Sequence, residues 1–187
     1  MDDPKDKDGH DNAYLHNKEE AIKLALQNEI KVRKFYLDHA EKMKGDLAKK
    51  TFIFLADEEL KHEETIREFV KNLKNGANPD LDPGPANSSV DKNKEFFGMS
   101  VGKASDKVVA SQEELDAYEM AAEIELKGYK FYEKSASEAT HENIKHLFTF
   151  LTKEENAHYH LITNTANYLK NPETFIQDQE DWFFEGG

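Results

Sequence analysis

The chain has 187 residues, 37% of them hydrophobic and 34% charged, with a formal net charge of −13 and no cysteine. It is long enough for one domain with a proper core, and its high charge and few prolines favour long, solvated helices over a compact β architecture. The composition excludes thiol catalysis, disulfides, cysteine-type zinc sites and iron–sulfur centres within the chain. An acidic chain without a Lys/Arg block does not suit nucleic acid, whose general binding needs phosphate neutralisation.

Residues 1–16 are polar and without periodicity, which predicts a disordered tail; His10 and His16 in it read as solvated bystanders. No apolar segment of the signal-peptide kind occurs there, and no run approaches the ~18 apolar residues of a membrane span. A soluble cytoplasmic protein is the default expectation.

Asn17 with Glu20 three residues on has the form of a capping box. Ile22, Ala25, Glu29, Val32, Tyr36, Ala40 and Met43 then recur every three or four residues, so they share one helical face. Glu29 stands in the middle of that face, where the pattern calls for an apolar group. Gly45 is expected to end this helix and Asp46 to cap the next, a turn short enough to make the two antiparallel neighbours. The second face runs Phe52, Leu55, Glu59, His62, Ile66, Phe69 and Leu73, and Asn75-Gly76 stops it. An acid again occupies the core stripe, now with a histidine nearly one turn on. Glu58 and Glu59 lie about equally far from the centre of the stripe, at ~100° per residue, so periodicity does not choose between them.

Residues 75–110 hold Pro79, Pro83, Gly84 and Pro85, a Ser/Asn run, and the apolar anchors Phe96, Phe97, Met99 and Val101. A helix of ~27 residues is ~40 Å long, which ~35 extended residues span easily. The connection either returns the chain to the other end of the bundle or carries the second helix pair to a partner subunit, and both remain open. Ser111 with Glu114 forms a second capping box. The third stripe is Tyr118, Ala121, Glu125, Gly128 and Tyr132. Thr140 is placed to cap the fourth helix, whose stripe is Ile144, Phe148, Leu151, Glu155, His158, Ile162, Thr165 and Leu169 before Pro172. Residues 171–187 form an acidic, aromatic tail in which Trp182 and its neighbours are expected to pack on the bundle or a partner. The predicted organisation is therefore an all-α four-helix bundle over 17–170, with helix pairs at 17–74 and 111–170 joined by the 75–110 crossover. One long crossover of this kind describes a ferritin-like fold.

The chemistry sits in a repeat. Glu29 to Glu59 and Glu125 to Glu155 are both 30 residues, and Glu29, Tyr36, Glu59 and His62 recur at a constant offset of 96 as Glu125, Tyr132, Glu155 and His158. An isolated ionised carboxylate in a packed core is costly, so it must be neutralised or protonated. Four inward carboxylates without a core-facing Arg or Lys are balanced by two divalent cations, and neutral imidazoles complete the ligand set. Oxygen and imidazole donors suit iron, with manganese and zinc as the other candidates, and bridging carboxylates point to a dinuclear redox pair. Glu29 and Glu125 match the single glutamates of such bundles, and Glu59/His62 and Glu155/His158 match their Glu-x-x-His units. Tyr36 and Tyr132 read either as core aromatics or, preferably here, as hydrogen-bond donors to the carboxylates. His39, His141, His146 and His160 carry no such pattern.

Glu29…Tyr36, Glu58-Glu59-Leu60-Lys61-His62, Glu125…Tyr132 and Glu154-Glu155-Asn156-Ala157-His158 resemble the motifs of the rubrerythrin family within the ferritin-like superfamily, over about residues 17–170. The resemblance settles on Glu59 rather than Glu58. It implies a diiron centre in which Glu59 and Glu155 bridge, Glu29 with His62 completes one metal position and Glu125 with His158 the other. It further implies reduction of hydrogen peroxide or dioxygen in oxidative-stress defence, an external electron donor such as rubredoxin, and a homodimer or larger homo-oligomer, sometimes with exchanged helices. Two departures stand out. The chain lacks the four cysteines of the family's rubredoxin-type domain, and Gly128 occupies the place of an extra glutamate on the third helix. A ferroxidase or iron storage and delivery role is the alternative the same residues allow.

Overall fold

The computed structural model describes residues 7–75, 89–102, 110–172 and 175, with side chains over 20–75, 91–101, 110–172 and 175. Among the described residues there are five helices and no strand: α1 (Lys7–Ala40), α2 (Asp46–Lys74), α3 (Ser89–Gly102), α4 (Gln112–Glu138) and α5 (Glu142–Lys170). Helix α1 packs along α2, α4 along α5, and α3 lies on α5. This is a ferritin-like helical bundle with one added helix.

Apolar stripes drive the pairing. Ile22, Ala25, Tyr36 and Ala40 of α1 are buried, as are Phe52, Leu55, Ile66 and Phe69 of α2, Tyr118, Ala121 and Tyr132 of α4, and Ile144, Phe148, Leu151, Ile162 and Leu169 of α5. They form two clusters. One gathers Tyr36 and Ala40 with Phe52, Leu55, Tyr118, Ala121, Ile162 and Leu169. The other gathers Ile22 and Ala25 with Ile66, Phe69, Tyr132, Ile144, Phe148 and Leu151. The order of the clusters along each helix gives the topology. Helices α1 and α5 run from the second cluster to the first, and α2 and α4 run the opposite way. Because α2 ends where α4 does not begin, the crossover carries the chain back along the length of the bundle. Both helix pairs of the chain thus lie in one bundle, the arrangement in which the connection returns the chain to the bundle's other end.

Several boundaries differ from expectation. Helix α1 starts at Lys7, so the part of the 1–16 tail that is described is helical, and the helix runs on through Asn17 instead of beginning there. No proline follows Pro4 before the end of this helix, so nothing in the covalent backbone stops it earlier. Its other end comes at Ala40, sooner than Gly45, which instead serves as the N-cap of α2 with Asp46 as the first helical residue. Asn75 caps the end of α2, where Leu73 is exposed and not part of the core face. His141 and not Thr140 precedes α5, with no side-chain cap bond.

The Ser111–Glu114 capping box is formed as expected, and it does more than cap. Glu114 Oε2 accepts the Ser111 amide at 2.9 Å, while Oε1 accepts the amides of Lys44 and Gly45 at 2.9 and 2.8 Å. One carboxylate ties the α1–α2 turn to the start of α4. Burial alone would raise its pKa, but the amides of Gly45, Ser111 and Lys44 outweigh burial and hold it below the usual range.

The crossover contains α3, which was expected only as a set of apolar anchors. Phe96, Phe97 and Val101 pack against the first cluster, and Phe96 stacks on Phe54 with ring centroids 4.3 Å apart. Met99 is exposed. From the C-terminal segment, Phe175 meets Phe97 and Tyr168 edge-on. Trp182, Phe183 and Phe184 lie outside the described residues.

Candidate metal centre

Between the two apolar clusters each long helix contributes polar residues: Glu29 from α1, Glu59 and His62 from α2, Glu125 from α4, Glu155 and His158 from α5. None of the six exposes more than 3% of its surface. Their position is a direct result of the stripes, since each acid or histidine replaces an apolar residue midway along a buried face.

The geometry is that of one cluster with two halves. Ligand atoms of Glu59, His62, Glu155 and His158 lie within 4.8 Å of one another. Glu29 Oε2 is 3.1 Å from His62 Nδ1, and Glu125 Oε2 is 3.7 Å from His158 Nδ1. Those pairings are the ones the resemblance implies. Glu59 reaches both histidines, with Oε2 at 3.3 Å from His62 Nδ1 and Oε1 at 3.1 Å from His158 Nδ1. Glu155 Oε1 stands 3.8 Å from His62 Nδ1. The imidazoles lie nearly parallel, with centroids 5.1 Å apart.

Two tyrosines cross between the halves. The Tyr36 hydroxyl donates to Glu125 Oε1, and the Tyr132 hydroxyl donates to Glu29 Oε1. Both are buried. Burial first, and then the charge of the carboxylate each faces, raise both phenols well above their usual pKa, so they act as donors and keep their protons.

The residues fit metal. Buried side-chain atoms without a hydrogen-bond partner include both oxygens of Glu59, Glu125 Oε2, Glu155 Oε1, His62 Nε2 and both ring nitrogens of His158. Buried polar atoms are ordinarily satisfied, so such a concentration at one point needs a cause. His158 Nδ1 and Glu59 Oε1 are 3.1 Å apart yet not aligned for a hydrogen bond. Donor atoms that are close but not aimed at one another are suited to sharing an ion. Among the described residues, no Lys or Arg nitrogen lies within 4 Å of Glu29, Glu59, Glu125 or Glu155 to neutralise them. Without ions, protons must do so. Burial first, and then the charge of Glu59, push Glu29 up to about 8; burial first, and then Glu125, raise Glu155 well above the usual range. Burial also opposes the charge on His158, but the carboxylates of Glu125 and Glu59 outweigh it and lift the imidazole to about 10. The buried carboxylate/histidine cluster fits a dinuclear metal site.

The two halves are not identical. Glu58 is buried beside Glu59 but is taken up by an ion pair with Lys61. At the offset of 96 the equivalent of Lys61 is Ala157, and there Glu154 turns toward His62, its Oε2 3.5 Å from Nε2. Sequence reasoning missed Glu154 as a neighbour of the site. The signal was present, a Glu-Glu doublet with a lysine three residues on in only one copy. His39, by contrast, lies tilted against the Phe35 ring and bonds the Phe35 carbonyl, and His146 is exposed beside Glu142.

Four long helices that surround a buried four-carboxylate, two-histidine cluster define a ferritin-like protein of the dinuclear carboxylate class. The family model described as Rubrerythrin matches residues 20–166, and the chain belongs to that family. No curated protein and no solved structure showed significant similarity to the chain. Among the described residues, no helix is long and apolar enough to cross a membrane.

Proposed function

We propose that the chain is a diiron oxidoreductase that reduces hydrogen peroxide, or dioxygen, in oxidative-stress defence in the cytoplasm. The observation that carries this reading is the convergence of six buried donor side chains, five of them with unpartnered atoms, from both halves of one chain. Glu29, Glu59, His62, Glu125, Glu155 and His158 would hold two iron ions, manganese or zinc being the other ions the donors accept. Iron bound there supplies two electrons and Lewis acidity.

The chain's residues do the rest. Tyr36 and Tyr132 orient the carboxylates of Glu125 and Glu29 through hydroxyls that stay protonated. The apolar clusters on either side keep bulk water from the carboxylates. Reduction of one peroxide to two waters consumes two electrons and two protons. An external donor protein of the rubredoxin kind would return the electrons, since these 187 residues include no cysteine to hold an iron–sulfur centre. A homodimer or larger homo-oligomer is proposed with it.

The test is to load the protein with ferrous iron without oxygen and mix it with peroxide or with dioxygen in a stopped-flow instrument. Oxidation by peroxide much faster than that of free ferrous ion supports the proposal; equal rates overturn it. The same donors suit ferroxidase and storage or delivery work, which is the second reading. It requires uptake well beyond two irons per chain and a large assembly, which iron counting with sedimentation detects.

A further inference from the structure

Gly128 lies in the interior of α4, where glycine is a poor helix former. A Cβ built on it would lie 2.6 Å from Glu155 Oε2 and 3.2 Å from Glu155 Cδ. Those distances are inside van der Waals contact, so even alanine would displace the carboxylate. At the offset of 96 the equivalent of Gly128 is Val32, a branched residue packed against the first apolar cluster. Glu59 and Glu155 are likewise equivalents, yet they sit differently. Glu59 has one oxygen within 3.3 Å of each histidine, whereas within 4 Å Glu155 reaches His62 alone.

We propose that Gly128 is a positioning residue of the metal centre: its missing side chain is the space into which the Glu155 carboxylate fits. The two shared carboxylates are therefore unequal. Glu59 spans the histidines, and Glu155 leans onto the backbone of α4 and holds its place only while position 128 carries no side chain. This inference rests on the metal reading of the site, and it concerns which residue shapes that site.

The test is anaerobic titration of the full-length protein with Co(II), followed by the ligand-field absorption spectrum. In Gly128→Ala, affinity for the second equivalent should fall by about ten- to a hundredfold, with a changed spectrum and an unchanged far-UV circular dichroism spectrum without metal. Adding Glu155→Asp, one methylene shorter, should restore the second equivalent. Two equivalents bound by Gly128→Ala with wild-type affinity and spectrum would overturn the inference and leave the metal reading intact. A wild-type protein that takes up no cobalt would overturn both. Should Gly128→Ala not fold, a crystal structure of the cobalt-loaded wild type decides: the Glu155 carboxylate against Gly128 Cα supports the proposal, and the carboxylate turned away from α4 refutes it.

Discussion

The Tyr36 hydroxyl on α1 donates to the Glu125 carboxylate on α4, and its counterpart Tyr132 on α4 donates to Glu29 on α1. Each half of the repeat thus holds the other's acid. Replacing either tyrosine by phenylalanine removes one oxygen while keeping the ring. Tyr36→Phe and Tyr132→Phe are each expected to weaken metal binding by about ten- to a hundredfold, and by similar factors. Competition titration against a chelator of known affinity measures it. A large effect in one variant and none in the other would show that the exchange is not reciprocal.

Loss of a shared ligand and loss of a terminal one should differ in stoichiometry. Glu59 touches both histidines, whereas Glu29 accompanies His62 and Glu125 accompanies His158. Glu29→Ala and Glu125→Ala are expected to retain about one metal per chain, and Glu59→Ala fewer than one, by the bridging logic of two-metal sites. Metal analysis after gel filtration gives the answer directly.

Stability of the metal-free protein should fall as pH rises. Glu29, pushed up to about 8, keeps a proton that the unfolded chain loses near 4.5; His158, lifted to about 10, keeps one that the unfolded chain loses near 6.5. Between those limits the folded state binds more protons than the unfolded one, so each contribution is complete below the unfolded value and is lost as pH climbs through the folded value. Glu59 works in the opposite sense. Burial would raise it, but the neighbouring Glu29 carboxyl and the His62 and His158 imidazoles outweigh burial and hold it low, so its contribution is lost only in acid. The melting temperature of the metal-free form should therefore decline from about pH 6 to about pH 9, while the loaded form changes less. Calorimetry of the two forms tests this, and a metal-free melting temperature that rises over the same range would contradict it.

Glu114→Ala should destabilise the fold without a direct effect on metal donors. It removes the acceptor for the amides of Lys44, Gly45 and Ser111. The loss expected for a helix cap is about 0.5–2 kcal/mol, and the second tie to the α1–α2 turn places it toward the upper end. Urea unfolding of the metal-free protein gives the number.

Phe52→Ala is the core counterpart. Its ring meets Tyr36 and Tyr118 edge-on at 5.6 and 5.0 Å and is fully buried. Large-to-small changes of this kind cost about 3–5 kcal/mol. Because Tyr36 leans on that ring, the variant should also lose metal affinity, which Glu114→Ala should retain.

What could be read in advance was whatever periodicity controls. The four long stripes, the 96-residue offset and the inward placement of Glu29, Glu59, His62, Glu125, Glu155 and His158 follow from residues three and four apart sharing a face. Helix α3 escaped because its few apolar residues follow a Pro/Gly-rich stretch that reads as loop, and its helicity is supported by Phe96 stacking on Phe54, a contact made across the chain. The start of α1 escaped because a polar segment can extend a helix that packing elsewhere has already nucleated. Glu58 could not be separated from Glu59 by angle; in space the ion pair with Lys61 takes up Glu58, whereas Glu154, with Ala157 in the lysine's place, turns toward His62. The close approach of Glu155 to Gly128 is a tertiary distance that no spacing encodes.

The polar layer of the bundle is closed at both ends by apolar blocks, the first around Phe52 and Tyr118, the second around Phe69 and Phe148. Traffic along the helix axes is therefore barred. On the function proposed above, small reactants would have to enter sideways, between the helix pairs, and a bulky reductant would stay outside the helical wall.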